Sequence, residues 1–223
     1  MVVVISLGGS LIVPDKINYD YLKKFRSLIL KLKSKKFIIV TGGGSTARNY
    51  INPLEKENID ERTRALIGIG ITRTNAWFML NFFKKHCAKT IPNSLKELKN
   101  LLEKNRIVFC GGLHYMENNT SDGTAAAIAN LFKTDLINMT NVKGLYTKDP
   151  RLKGANLIKK ISFDNFDKKI RKIKYKPGQH FVLDQNASQI IKKHKIKTYI
   201  LGPDLNNLKN LIEGKKFIGT TIS

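Results

Sequence analysis

Three stretches of small residues carry the strongest chemical signal in this chain: "SLGGS" at 6–10, "VTGGGSTAR" at 40–48 and "FCGG" at 109–112. Each follows a short β-branched or aromatic run, so each falls where a buried strand would end. Glycines there let backbone amides approach phosphate oxygens, and a helix N-terminus beside them adds positive partial charge. A single triple glycine also serves an ordinary tight turn. Three clusters at equivalent positions point instead to a phosphate cradle outside the carboxyl ends of an open α/β sheet. Arg48 stands one helical turn past Gly42–Gly43–Gly44, where a guanidinium can fork onto phosphates held at that helix start. A fourth stretch, "TNVKGLYTKDP" at 140–150, offers the flat apolar face of Tyr146, the carboxylate of Asp149 as an acceptor for hydroxyls, and the cation Lys143 between them. The chemistry that suits these residues is the holding of a nucleotide.

What is missing narrows that chemistry. There is no GxxxxGK[ST], no GxGxxG after a strand, and no pair of HRD and DFG sequences, so the common phosphate-binding designs are excluded. His86 and His194 lie in lysine-rich helix ends and read as solvated; His180 lies in a loop before Asp184. No Ser/His/Asp order and no carboxylate pair recommends a hydrolase. Cys87 and Cys110 are the only cysteines, without CxxC or metal spacing, and read as reduced, buried thiols of a cytoplasmic protein. No dedicated metal cage is expected.

Charge is heavily biased, with 40 Lys and Arg against 17 Asp and Glu, a net +23. Such a field favours anionic partners. The lysines are spread over every segment rather than gathered in an arm, which argues for solvated helix faces and against a nucleic-acid role. No apolar run reaches the length of a membrane span. The opening "MVVVISLGGSLIV" lacks a basic leader and breaks at glycines, so it reads as a first buried strand.

These residues need a frame that brings strand ends together. Short β-branched runs alternate with amphipathic helices along all 223 residues, the pattern of a mainly parallel sheet covered on both faces. Strands are expected at Val2–Leu7 and in "KFIIVT", "RIVFC", "DLINMT" and "KTYILG", with "KKFIGTTIS" closing the chain as an edge strand. Asn18 or Asp20 can cap a helix with Leu22, Phe25, Leu28, Ile29 and Leu32 on its apolar face. Residues 64–83 form a long helix, apolar around much of its circumference, which suggests burial or a subunit contact. Thr120, Ser121 or Asp122 can cap an Ala-rich helix, and Asp184 and Asp204 cap two more.

Taken in order, "SLGGS", "VTGGGSTARNYI", "GIGITRTNA", "TNVKGLYTKDPR" and "GTTIS" resemble the amino acid kinase superfamily, and within it the archaeal type of uridylate kinase. The match spans nearly the whole chain. The resemblance implies a single domain with a three-layer α/β/α sandwich fold, residues 1–133 forming a UMP-side lobe and 134–223 an ATP-side lobe. It implies phosphoryl transfer from Mg²⁺-ATP to UMP, the Mg²⁺ held mainly by nucleotide phosphates, in a cytoplasmic homohexamer built as a trimer of dimers. By position, Gly8, Gly9, Ser10, Gly44 and Arg48 would meet the ATP phosphates. Thr140, Asn141, Tyr146 and Asp149 would hold adenine, ribose and the triphosphate edge. Gly43, His114, Asn118, Asn119, Thr120 and Ser121 would serve UMP.

The chain departs from the family pattern at several of these places. Lys143 replaces an aspartate near Mg²⁺-ATP. Ala65 stands where relatives carry an acid for the UMP ribose, with Asp60, Glu61 and Arg64 as neighbours able to take over. The loop 113–121 is longer than in relatives, and Ser6 replaces a lysine that reaches the transferring phosphate elsewhere in the superfamily. Lys143 is the candidate catalytic cation in place of that lysine, a compact, mobile charge; the alternative is a lysine pointing into water. A kinase of another small acceptor such as isopentenyl phosphate, or a nucleotide-binding regulatory protein of weakened catalysis, are the competing readings.

Overall fold

A computed structural model describes residues 1–113, 120–172 and 183–223. Among the described residues seven strands form one sheet: β1 (Val2–Leu7), β2 (Lys36–Thr41), β3 (Ile107–Cys110), β4 (Leu136–Met139), β5 (Lys160–Ile161), β6 (Thr198–Leu201) and β7 (Thr220–Ile222), in the order β3-β2-β1-β4-β6-β7-β5. Every pairing is parallel except β6 with β7. The expected mainly parallel sheet is therefore present. β7 is not the edge strand that its terminal position suggested: it lies between β6 and β5, and the two-residue β5 takes the edge. So short a strand has no hydrophobic period to read in the sequence.

The helices are α1 (Gly9–Ile12), α2 (Tyr19–Lys31), α3 (Gly44–Lys56), α4 (Glu61–Phe83), α5 (Leu95–Lys104), α6 (Ser121–Leu131), α7 (Phe163–Arg171), α8 (Gln185–His194) and α9 (Leu205–Ile212). Strand residues alternate between two cores. Ile5, Leu7, Phe37 and Phe109 pack with Phe25 of α2, Phe83 of α4 and Leu208 of α9. Val4, Ile38, Val40 and Val108 face Leu98 of α5, Ala126 of α6, Phe166 of α7 and Ile191 of α8. Burial on both faces is why these strands read as continuous apolar runs. The layers make an α/β/α sandwich.

Helix starts follow their caps. Asp184 accepts from Ala187 N at 2.6 Å, Asp204 from Asn206 N at 2.9 Å, and Thr120 Oγ1 from Asp122 N at 3.1 Å, each satisfying an amide that the helix leaves unpaired. Asn18 precedes α2 but gives no side-chain cap, and Asp20 lies within its first turn. Cys87 and Cys110 are buried and free; burial pushes the Cys110 thiol up to about 12. Among the described residues no helix is long and apolar enough to cross a membrane.

Candidate active site

The chain leaves β1 for β2 and β3 on one side and returns to β4 on the other through α6. That reversal opens a crevice at the carboxyl ends of β1 and β4, the place where open α/β sheets take ligands. Two of the three glycine clusters line it. Gly8 N donates to Met139 O at 2.9 Å, and Gly42 N to Leu7 O at 3.0 Å. Gly9 lies against Gly44 so closely that a Cβ on Gly9 would collide with the Gly44 amide, and Gly44 holds φ +67°. The two loops thus fold onto each other, bringing the start of α3 to the end of β1.

The third cluster has a different task. A Cβ on Gly111 would stand 2.6 Å from Arg73 N, so Gly111 makes room for α4. Thr72 and Asn75, three residues apart on that helix, then tie all the loops together. Gly112 N donates to Thr72 Oγ1 at 2.8 Å, Thr41 Oγ1 to Thr72 O at 2.8 Å, and Asn75 Nδ2 to Gly42 O at 2.8 Å. Both belong to "GIGITRTNA". Buried polar groups paired in this way specify one arrangement, because breaking any pair strands its partner.

Arg48 projects from the first turns of α3, half-buried, with no hydrogen bond or ion pair among the described residues. Burial lowers its pKa below the ordinary arginine value. A partly desolvated cation without a counter-charge, next to the glycine loops, is suited to an incoming anion.

Asp122 and Asp184 meet here from α6 and α8. Ser6 Oγ, at the end of β1, donates to Asp122 Oδ1 at 2.7 Å. Asp184 accepts from Thr120 N at 3.0 Å and Thr120 Oγ1 at 2.5 Å while capping α8. Burial and the nearby Asp184 charge push Asp122 up to about 7, against the pull of the Ser6 hydroxyl. Burial also raises Asp184, opposed by the groups that donate to it. In the sequence both residues look like routine helix caps; in the fold Thr120 caps α6, Asp122 lies in its first turn, and the two helix starts converge.

The 140–151 loop is held by its backbone. Thr140 is buried and donates its amide to Leu201 O at 2.9 Å. Leu145 N donates to Thr220 Oγ1 at 2.8 Å, and that hydroxyl donates to Ile158 O at 2.6 Å. Tyr146 bridges Leu157, and Thr147 N donates to Asn156 O at 3.0 Å. The buried Thr220 accounts for the terminal "GTTIS". Asn141 and Lys143 are exposed, and Lys143 has no partner among the described residues. Asp149 is engaged by Arg151, which donates through Nη2 at 2.6 Å and holds the carboxyl down at about 2.

On the opposite side, Gly43 precedes α3, Thr120 caps α6 and Ser121 opens it. His114, Asn118 and Asn119 lie outside the described residues, as does His180. Near Ala65, Asp60 is committed to capping α4 through Thr63 N at 2.9 Å. Arg64 leaves Nε and Nη1 buried without a hydrogen bond, with Glu55 3.5 Å from Nη1. Of the neighbours able to replace the missing acid, Arg64 is the one with donors to spare.

The model of the amino acid kinase family matches residues 1–202. A uridylate kinase of Thermoplasma volcanium is 37% identical over 222 residues, spanning 99% of this chain and 96% of its own length. A uridylate kinase of Pyrococcus abyssi is 34% identical, spanning 100% and 99%. The crystal structure of uridylate kinase from Archaeoglobus fulgidus superimposes with a TM-score of 0.84 at 31% identity, covering the whole of both chains.

Proposed function

The chain belongs to the amino acid kinase family, and from that premise we propose that it transfers the terminal phosphoryl group of ATP to UMP, giving ADP and UDP. The observation that carries this reading is the glycine seat at the topological switch point, with Arg48, unpartnered among the described residues, beside it. Phosphoryl transfer demands positioning and charge neutralisation more than covalent chemistry from the protein. Backbone amides of Gly8, Gly9, Ser10 and Gly44 cradle the ATP phosphates, and Arg48 forks onto them. Thr140, Asn141, Tyr146 and Asp149 hold the adenosine end, Asp149 exchanging Arg151 for ribose hydroxyls.

UMP sits opposite, its phosphate at the start of α6 near Thr120 and Ser121, with Gly43, His114, Asn118 and Asn119 around it and Arg64 supplying the contact Ala65 lacks. Mg²⁺ arrives bound to ATP phosphate oxygens and offsets their charge. Residues 1–133 form the acceptor lobe and 134–223 the ATP lobe. Lys143, exposed at the mouth of the loop, follows the moving phosphoryl group as its mobile cation; Lys143→Ala then lowers turnover at saturating UMP about 10-fold, the scale of one charge-assisted hydrogen bond, and an unchanged rate removes this role. The enzyme works in the cytoplasm as a trimer of dimers, in which the exposed Leu66 and Trp77 of α4 are covered.

The test is a panel of UMP, CMP, AMP, isopentenyl phosphate and acetylglutamate, each with Mg²⁺-ATP. UDP is the expected main product. Turnover of isopentenyl phosphate alone reassigns the acceptor; ATP binding without any turnover, joined to salt-sensitive nucleic-acid binding, replaces catalysis with a regulatory role.

A further inference from the structure

Asp122 and Asp184 are supplied with hydrogen-bond donors very unequally. Asp184, with no solvent exposure, receives the Ala187 amide at 2.6 Å, the Thr120 amide at 3.0 Å and the Thr120 hydroxyl at 2.5 Å. These donors, with the Gly123 amide beside them, suit an ionised carboxylate. Among the described residues Asp122 receives the Ser6 hydroxyl alone, at 2.7 Å, and is partly buried. The two acids are joined through Thr120, whose Oγ1 donates to Asp184 and accepts from Asp122 N. Among the described residues the groups facing them from β1, α6 and α8 are Ser6, Thr120 and the Gly123 and Ala187 amides, and no lysine or arginine pairs with either acid. Two carboxylates enclosed together with no cation among the described residues cannot both ionise cheaply.

We infer that Asp122 and Asp184 hold one proton between them, resident on Asp122, and that Asp184 is a positioning residue which keeps Asp122 neutral beside the transferring phosphoryl group. The inference rests on the phosphoryl-transfer reading of this crevice. A neutral Asp122 adds no repulsion against two sets of phosphates and has an O–H to donate to one of them. Asp184 carries the negative charge at the N-terminus of α8, where the helix dipole favours it. As pH rises the proton leaves, a second negative charge appears in the crevice, and nucleotide turnover falls.

The direct test follows the aspartate carboxyl carbons by ¹³C NMR across pH 3 to 9 in the wild-type chain and in Ser6→Ala and Asp184→Asn. One wild-type aspartate is expected to titrate near neutrality, where burial and Asp184 place Asp122 at about 7. Loss of the Ser6 donor, which favours the charged form, moves that midpoint up. Loss of the Asp184 charge moves it down toward the ordinary carboxylate range of about 4. The kcat/KM profile of the wild type is expected to fall through the same midpoint, and the fall in Ser6→Ala to shift with it, which a purely structural role would not produce. If all aspartates titrate below about 5, or if Ser6→Ala leaves the midpoint in place, the inference is overturned. The titration needs no turnover, so it stands or falls separately from the acceptor assignment. If Asp184→Asn does not fold, the wild-type and Ser6→Ala curves still decide.

Discussion

The glycine seat and the 140–151 loop both face one crevice, yet they are built in opposite ways. In the seat, backbone packs on backbone with no room for a side chain, and Thr72 and Asn75 of α4 lock the loops by buried hydrogen bonds. In the loop, the backbone hangs from Thr220 while Asn141, Lys143 and the Asp149–Arg151 pair stay at the surface. The seat suits the part of a substrate that never varies, its phosphates. The loop suits the part that must be recognised and released. Changes in the seat should therefore cost folding and all activity together, whereas changes in the loop should touch the affinity for one nucleotide.

Gly9→Ala strikes the seat hardest. Its Cβ has nowhere to go but into the Gly44 backbone, and overpacking of this kind costs about 1–3 kcal/mol or more. A melting temperature lower by roughly 10 °C and no measurable UDP are expected; a stable, active variant would show that the loops are not locked. Arg48→Ala separates binding from folding. It removes no hydrogen bond or ion pair among the described residues, so the melting temperature should hold, while kcat/KM falls about 100-fold, the upper range for a charged hydrogen bond. A fall in stability without a fall in rate would make Arg48 structural.

Two smaller changes tell the acceptor and ATP sides apart. Arg64→Met preserves the apolar stem and removes the guanidinium near Ala65, whose Nη1 is ion-paired with Glu55 at 3.5 Å. The KM for UMP is expected to rise about 10-fold with the KM for ATP unchanged, and steady-state titration of each nucleotide measures both. Thr220→Val removes the hydroxyl that links Leu145 N to Ile158 O. A net hydrogen bond is worth about 1 kcal/mol, so the KM for ATP should rise a few-fold with UMP affinity intact. An equal effect on both nucleotides would break the division of labour between the two regions.

The contrast also explains what could be read before the fold was known. Glycines at strand ends, β-branched runs and single-residue helix caps are local signals, and they foretold the sheet, the α/β/α layers and the close-packed glycine loops. Signals that need the third dimension were hidden. Asp122 and Asp184 stand 62 residues apart in the chain, and each fits an ordinary helix start, Asp122 in the first turn of α6 and Asp184 as the cap of α8. Thr72 and Asn75 sat within a helix whose apolar circumference drew attention away from its two polar anchors. Gly111 looked like part of the cradle and is instead a packing site for α4. β7 lost its edge to a two-residue strand that no periodicity could reveal.

The most direct measurement is the appearance of UDP from UMP and Mg²⁺-ATP, followed by separation of the nucleotides, in the wild type and in Arg48→Ala. UDP and ADP should form in equal amounts with the wild type, and about 100-fold more slowly with Arg48→Ala at unchanged stability. No UDP from the wild-type chain, or equal rates from the two proteins, would contradict phosphoryl transfer on this seat.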